Sequence, residues 1–279
     1  MDFRNCLVIV RGGGDLGTGV IYRLAKSGFP VIVLELPHPL VVRRSVALAT
    51  AVLDGEIIVE DLHGLRIESA DEALRLAYKG KIPILIAPEL QSVTQELQQP
   101  PCALIDARMA KRNIDTNISQ APLVIALGPG FCAGVDCHAV IETMRGHRLG
   151  RVIWQGSAIP NTGTPGLIAG KGVERVLRAP ADGAVSWQFK IGDRVQTGDH
   201  VGSVAGQPIP APFDGVIRGL IAPSTPVKKN LKIGDVDARA DRSACFTISD
   251  KALAIGGGVL EALLTYLSQQ SDHENGAAQ

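Results

Sequence analysis

A glycine-rich turn near the start of the chain has the spacing of a nucleotide-binding loop. Gly12, Gly14 and Gly17 fit the pattern G-x-G-x-x-G, with Gly13 and Asp15 between them. Such a turn lets the backbone approach a pyrophosphate, whose charge is held by free N–H groups at the start of the following helix. The chemistry predicted here is the binding of a phosphate-containing ligand by backbone amides.

An acidic residue follows this turn at the sequence separation expected of a ribose-binding residue. Glu35 ends the second apolar run of the chain, about 20 residues after the last loop glycine, where dinucleotide-binding folds place an acid on a ribose hydroxyl. The alternative is a tight strand-to-helix turn without a ligand, in which Asp15 caps the helix and repels anions. The loop, its flanking elements and Glu35 together favour the dinucleotide-binding shape.

Two groups of charged residues extend this candidate site. Arg43 and Arg44 follow Glu35 closely and are predicted to bind a phosphate; the alternative is a solvated pair at a helix start. Asp106 and Lys111 follow the fourth apolar run, at the edge where α/β folds bind ligands. For them the alternative is a surface ion pair worth under ~1 kcal/mol.

The densest group of reactive side chains lies in a glycine-rich segment beyond the fifth apolar run. Its candidate residues are Gly128, Gly130, Cys132, Asp136, Cys137 and His138. The spacing lacks the C-x2-C signature of structural zinc, and no metal site is predicted. A cysteine near a helix start can become a nucleophilic thiolate, so the two cysteines and His138 are candidates for catalysis. The alternative is that both thiols are small buried apolar groups and that Asp136 caps a helix.

The amino-acid composition argues against a nucleic-acid-binding or membrane protein. Of 279 residues, 46% are apolar and 20% charged, and 28 basic side chains balance 28 acidic ones, so no net field attracts nucleic acid or an anionic membrane. No apolar stretch approaches the ~18 residues of a membrane span, and the start of the chain does not resemble a signal peptide. We therefore expect a cytoplasmic protein. Five scattered cysteines predict no structural disulfide.

The elements that must position these residues form an α/β fold. Five short apolar runs alternate with amphipathic stretches, which predicts an open, Rossmann-like parallel sheet over residues 1–127. A segment rich in Gly and Pro follows over 128–177; we expect it to carry part of the site, with one short helix from Ala139 to Met144.

The remaining chain predicts a β-rich domain over 178–240 and a strand, a helix and a disordered tail over 241–279. Ala-Pro-Ala-Asp-Gly at 179–183 recurs as Ala-Pro-Phe-Asp-Gly at 211–215, and this repeat resembles the barrel-sandwich hybrid of biotinyl and lipoyl domains. The hairpin that carries the modified lysine in those carriers has none here, over 202–208. The strand is expected at 245–248, and the tail from Ser268.

Several phrases of the sequence together resemble one family. They are the glycine turn at 11–19, Gly-Pro-Gly-Phe at 128–131, Val-Asp-Cys-His-Ala-Val-Ile-Glu-Thr-Met-Arg-Gly-His at 135–147 and Asn-Thr-Gly at 161–163. On these the chain resembles the YqeB family, described as accessory proteins of selenium-dependent molybdenum hydroxylases. The resemblance implies a role in maturing the molybdenum centre, with the hydroxylase apoenzyme as partner.

The sequence thus predicts a maturation factor that binds a nucleotide, a dinucleotide or the dinucleotide form of the molybdenum cofactor. In this hypothesis Cys132 or Cys137 accepts selenium or sulfur, and the chain forms a homo-oligomer. Two alternatives stay open: an NAD(P)-dependent oxidoreductase, which lacks a clear proton-donor set, and a non-enzymatic adaptor that docks a molybdoenzyme.

Overall fold

A nine-stranded sheet dominates the first half of the chain in the computed structural model, which describes residues 3–87, 89–97, 99–164, 166–167 and 169–277. Its strands are β1 (Val8–Arg11), β2 (Val31–Glu35), β3 (Glu56–Val59), β4 (Leu62–Ile67), β5 (Ile82–Ile86), β6 (Ala103–Asp106), β7 (Leu123–Leu127), β8 (Ala139–Ile141) and β9 (Val152–Ile153). They lie in the order β3-β4-β5-β2-β1-β6-β7-β8-β9. Neighbours from β4 to β8 run parallel, while β3 and β9 are antiparallel edges.

Helices cover both faces of this sheet. They are α1 (Asp15–Lys26), α2 (Ala51–Asp54), α3 (Ala70–Ala77), α4 (Leu90–Glu96) and the C-terminal α5 (Asp250–Ala277). Residues of α1, α2 and α5 share one apolar core with the sheet, and residues of α3 and α4 share the other. Strands covered on both sides read as nearly continuous apolar runs, which is why the five predicted runs match β1, β2, β5, β6 and β7. The mixed α/β class is confirmed.

The sheet continues beyond residue 127, into the segment that was predicted to be irregular. The short helix expected from Ala139 to Met144 was wrong, because the fully buried run Ala139–Ile141 pairs in parallel with β7 as strand β8. A buried run of three apolar residues fits a strand between covered faces as well as it fits a helix turn.

A smaller β module follows. Its strands are β10 (Val176–Arg178), β11 (Gly183–Trp187), β12 (Arg194–Val195), β13 (His200–Val204), β14 (Gln207–Pro210), β15 (Gly215–Leu220), β16 (Pro226–Val227) and β17 (Lys232–Asp237). They form two four-stranded sheets, β10-β17-β15-β12 and β14-β13-β11-β16, around one apolar core.

The sequence repeat reappears as pseudo-symmetric contacts within this module. Asp182 accepts a hydrogen bond from the amide of Lys229 at 2.8 Å, and Asp214 accepts one from the amide of Thr197 at 2.8 Å. Each aspartate belongs to an Asp-Gly turn of one repeat and binds a turn of the other. The two repeats therefore interlock instead of stacking as independent hairpins.

The C-terminal region differs from expectation in two ways. The strand predicted at 245–248 is absent: a 3-10 turn at Ser243–Cys245 leads into α5 instead. Helix α5 runs to Ala277, so the tail expected to be disordered from Ser268 begins inside it, and the last two residues lie outside the described residues.

Helix α5 lies along α1. The stretch Asp250–Gln270 is long and apolar enough to cross a membrane by length and composition alone. Its buried residues, which include Ile255, Val259 and Leu263, belong to the core shared with the sheet. Burial within the fold therefore accounts for part of its apolarity, since 39% of this stretch is buried.

A disulfide joins Cys6 and Cys102. Each cysteine lies just before one of the neighbouring strands β1 and β6, whose parallel pairing brings the two residues side by side. The expectation of no structural disulfide was wrong, because sheet topology, which spacing along the chain does not reveal, places these two thiols together.

Candidate functional site

A cavity of about 700 Å³ opens at the carboxyl ends of β1, β2 and β6. Its walls include Gly12, Gly14, Asp15, Glu35 and Arg43 from the predicted site. This edge of a parallel sheet is where ligands bind in open α/β folds, and the volume is typical of a small-molecule site. The glycine turn and its acidic partner are therefore brought together.

Close packing explains three of the turn glycines. Gly12 has a left-handed φ of +101°, and a Cβ there would lie 3.0 Å from the carbonyl group of Ala107. A Cβ on Gly17 would lie 2.1 Å from the Gly12 carbonyl oxygen, and one on Gly13 would lie 3.0 Å from the Ala49 amide. Gly12 and Gly17 let β1, α1 and the loop after β6 pack closely, and Gly13 lets the turn pack against the backbone at Ala49.

Gly14 is different, because packing does not require it. It precedes α1 with extended backbone, and a Cβ there would make only an ordinary 3.7 Å contact with Val41. No side chain caps the helix here. The first helical bond runs from Thr18 N–H to the Gly14 carbonyl, and within the described residues the amides of 14–17 have no partner. These amides can hold an anion.

Glu35 accepts a hydrogen bond from one backbone amide of the turn and lines the cavity. Its Oε1 accepts a hydrogen bond from Gly13 N–H at 2.6 Å, and its Oε2 accepts one from Leu36 N–H at 2.9 Å. Burial raises the pKa of this carboxyl group above its ordinary value, although both hydrogen bonds oppose the shift. The carboxylate is thus fixed beside the free amides, where a ribose hydroxyl can donate to it.

The two predicted phosphate-binding arginines are committed to other contacts. Arg43 lines the cavity but donates to Asp15 at 2.7 Å and to the carbonyls of Ala244 and Thr247. Arg44 donates to the Leu220 carbonyl at 2.8 Å and lines a separate cleft of about 460 Å³ against the β module. Arg43 neutralises Asp15 at the helix start, and Arg44 is not in the site.

The loop after β6 brings other side chains to the cavity than the two that the sequence predicted. Asp106 is 1% exposed and is held by Arg108 and by the Thr116 hydroxyl, and it does not line the cavity. Lys111 also lies outside the cavity lining. The residues that do reach the cavity are Arg108, Arg11 and Asp115.

These three residues form a rigid charged wall. Arg11, only 2% exposed, donates two hydrogen bonds of 2.8 Å to the Asp115 carboxylate, which Arg108 also contacts at 2.7 Å. The guanidinium of Arg11 lowers the pKa of Asp115 to about 2. Arg11 ends the first strand directly before the glycine turn, and that position was the sequence signal for it.

The cysteine segment lies away from this cavity. It crosses the sheet from the end of β7 to the start of β8, and neither Cys132, Cys137 nor His138 lines the cavity. Cys137 packs in the core on the α3 and α4 face, while the His138 ring accepts a 2.9 Å hydrogen bond from the Val124 amide through Nδ1. The predicted catalytic residues are therefore not part of the cavity.

The remaining predicted residues of that segment shape its turns. Asp136 accepts a hydrogen bond from Cys132 N–H at 2.7 Å. Gly128 and Gly130 have left-handed backbone and pack against Thr143 and the backbone at Arg112. None of these three residues lines the cavity. No group of three His, Cys, Asp or Glu residues that could hold a metal ion is found in the described part of the chain.

Comparison with known proteins decides the family. A curated protein of Escherichia coli (strain K12), "Uncharacterized protein YqeB", is 47% identical over 263 residues, or 94% of this chain. The chain belongs to the YqeB family. It spans about half, 48%, of the length of that relative. No family model matches the chain.

Solved structures offer only weak overlaps with this YqeB-family chain. An aspartoacylase family protein from Mesorhizobium loti shares 14% identity with a TM-score of 0.26, covering 83% of this chain and 84% of that one. The ectoine utilization protein EutE (DoeB) from Ruegeria pomeroyi shares 13% identity with a TM-score of 0.22, covering 82% and 56%. Overlaps of this quality do not bear on function.

Thiol reactivity tests the correction to the cysteine segment in this YqeB-family chain. Burial raises the pKa of Cys137 to about 12, and it also raises the pKa of the buried Cys245. We expect iodoacetamide at pH 8 to leave both residues unmodified in the native protein and to alkylate both after denaturation. Peptide mass spectrometry reads this directly; rapid native alkylation of Cys137 would restore it as a candidate nucleophile.

Proposed function

We propose that this chain binds a nucleotide or dinucleotide in the 700 Å³ cavity, with a phosphate on the amides of residues 14–17 and a ribose on Glu35. The observation that carries this proposal is the uncapped start of α1, where Gly14, Asp15 and Leu16 line a cavity together with the hydrogen-bonded carboxylate of Glu35. The N-terminal helix dipole favours negative charge at the same point.

The proposed biological role is that of an accessory protein for selenium-dependent molybdenum hydroxylases. It rests on the family resemblance, with the dinucleotide form of the molybdenum cofactor as ligand and the hydroxylase apoenzyme as partner. The free amides and the cavity volume suit the pyrophosphate of such a cofactor. We place this role in the cytoplasm, and we assign the partner contact to the β module as a barrel-sandwich-hybrid-like unit without a carrier lysine.

Binding without redox turnover is the function that the cavity favours. Among its described lining residues there is no His, Tyr or Cys, and the groups that could transfer a proton are carboxylates and a lysine, of which Glu35 is held by two backbone amides. An NAD(P)-dependent oxidoreductase therefore has less support than a protein that holds a cofactor. Sulfur or selenium transfer through Cys137 is disfavoured by its burial.

Calorimetry with a panel of ligands tests the proposal. The panel contains the mono- and diphosphates of adenosine, guanosine, cytidine and uridine, together with NAD and NADP. We expect saturable binding of at least one, with a rise in melting temperature as the ligand exceeds its dissociation constant. If no member binds or shifts the melting temperature, the chain is better described as an adaptor.

Glu35 provides a test of the ribose position. We expect Glu35→Gln to weaken dinucleotide binding about tenfold, because a ribose hydroxyl loses a hydrogen bond to a charged acceptor. Since the pKa of Glu35 is raised, wild-type affinity should fall as the pH drops from 7 to 5, while that of the variant should stay flat. Titration of a pyrophosphate-linked dinucleotide, whose own charge is constant over this range, measures both. Parallel pH profiles would contradict the assignment.

A further inference from the structure

One lining residue of the cavity comes from the β module. Lys232 is the first residue of β17, and within the described lining every other residue belongs to 11–115. Its side chain is 42% exposed, and its nearest carboxylate oxygen, on Asp235, is 3.9 Å away. The ammonium group therefore faces the cavity without a close ionic partner.

The acids around Lys232 are already matched by other cations. Asp235 is paired with Arg175, Asp237 binds Arg239 at 2.6 Å, and Asp15 binds Arg43. Each carboxylate in this seam between the sheet and the β module thus has a closer partner than Lys232.

A second cation in the seam is also under-partnered. The Arg218 side chain is 9% exposed and makes no hydrogen bond within the described structure, and its nearest acidic oxygens lie 3.6 and 3.8 Å away. Burial and the neighbouring Arg43 both lower the pKa of Arg218, as expected for crowded positive charge. The two carboxylates near Arg218 lie beyond hydrogen-bonding distance and have closer cations of their own, so positive potential on this side of the seam favours an added anion.

We propose that Lys232 binds a second anionic group of the ligand, so that the ligand is a nucleoside diphosphate or a pyrophosphate-linked dinucleotide held between the sheet and the β module. This inference rests on the proposed function, in which the first phosphate lies on the amides of residues 14–17. It adds the β module to the binding site and makes a nucleoside monophosphate a poorer ligand. Arg218 and Arg43 supply favourable potential behind Lys232 without contacting the ligand.

Calorimetry at pH 8 with the mono- and diphosphate of the preferred nucleoside tests this. We expect the wild-type chain to bind the diphosphate about tenfold more tightly, since one charge-assisted contact is added. Lys232→Met should remove that preference, by weakening the binding of the diphosphate about tenfold and that of the monophosphate much less, while Lys232→Arg should keep it. Lys228→Met is the matched control, because Lys228 is an exposed lysine of the same module paired with Asp182.

The outcomes separate the two proposals. If neither nucleotide binds to the wild-type chain, the proposed function fails and this inference fails with it. If both bind equally, or if Lys232→Met weakens both equally with native circular dichroism, the proposed function stands and the second anionic subsite is wrong. If Lys228→Met has the same effect as Lys232→Met, the preference comes from overall charge, which also overturns the inference.

Discussion

Replacing Gly14 with Asp is expected to abolish nucleotide binding in a protein that still folds. The backbone before α1 is extended, and a Cβ at this position meets only Val41 at 3.7 Å, so the substitution is sterically tolerated. Asp is a favoured N-cap residue whose carboxylate accepts the second or third amide of the helix. It would thus occupy the amides proposed to hold phosphate and add a like charge. We expect affinity to fall about 100-fold or more, since two charge-assisted hydrogen bonds at ~1.5–3 kcal/mol each are lost.

Two neutral variants at the same position separate the causes of this loss. Gly14→Ala adds a methyl group without a cap, and we expect it to retain most of the affinity. Gly14→Asn caps the helix without charge, and we expect an intermediate loss. Chemical denaturation should show all three variants within about 1 kcal/mol of the wild-type free energy of unfolding. Nucleotide affinity of Gly14→Asp equal to that of the wild type would contradict the proposed phosphate position.

The second large effect concerns the contact between α5 and α1. A Cβ on Gly256 would lie 2.4 Å from the Gly19 carbonyl oxygen, whereas a Cβ on Gly257 would have no neighbour within 4 Å. We expect Gly256→Ala to lower the free energy of unfolding by about 1–3 kcal/mol or more through forced separation of the helices. Gly257→Ala should raise it by about 0.5–1 kcal/mol through helix propensity alone.

Urea denaturation measures both changes, and the diagnostic result is that the free energy of unfolding falls in Gly256→Ala and rises in Gly257→Ala. Gly258→Ala is a third member of the series, because its Cβ would lie 2.1 Å from the Gly150 carbonyl oxygen, and it should resemble Gly256→Ala. Equal effects at all three positions would show that α5 is not packed on α1 as a core helix.

The central strands were predictable from the sequence because five short apolar runs alternate with amphipathic stretches, a pattern typical of parallel strands that are buried on both faces. The β3–β4 hairpin was not predicted, because the edge strand Glu56–Val59 is short and leaves the apolar Ile58 67% exposed, so its sequence does not alternate with its burial. Strand β8 was taken for a helix because three residues carry no measurable period. The disulfide between Cys6 and Cys102 depends on strand order, which local patterns do not contain.

The residues of the candidate site fall into two groups: those that a local sequence pattern identifies, and those that only tertiary contacts bring to the cavity. The glycine turn and Glu35 are encoded by a local pattern, and the structure brings them together. Arg108, Asp115 and Lys232 reach the cavity through strand pairing and docking of the β module, so no spacing along the chain announces them. The cysteine segment shows that a local pattern can also mislead. Its reactive residue types lie close together in the sequence, but Cys137 is buried in the core between β7 and β8.

Amide chemical shifts test the central claim most directly. The preferred nucleotide is titrated into ¹⁵N-labelled protein while the backbone N–H resonances of Gly14, Asp15 and Leu16 are followed. Phosphate seated on these amides predicts that they show the largest shift changes in the molecule, saturating with the calorimetric affinity. Saturable binding that leaves these three resonances unmoved and shifts amides elsewhere would contradict it.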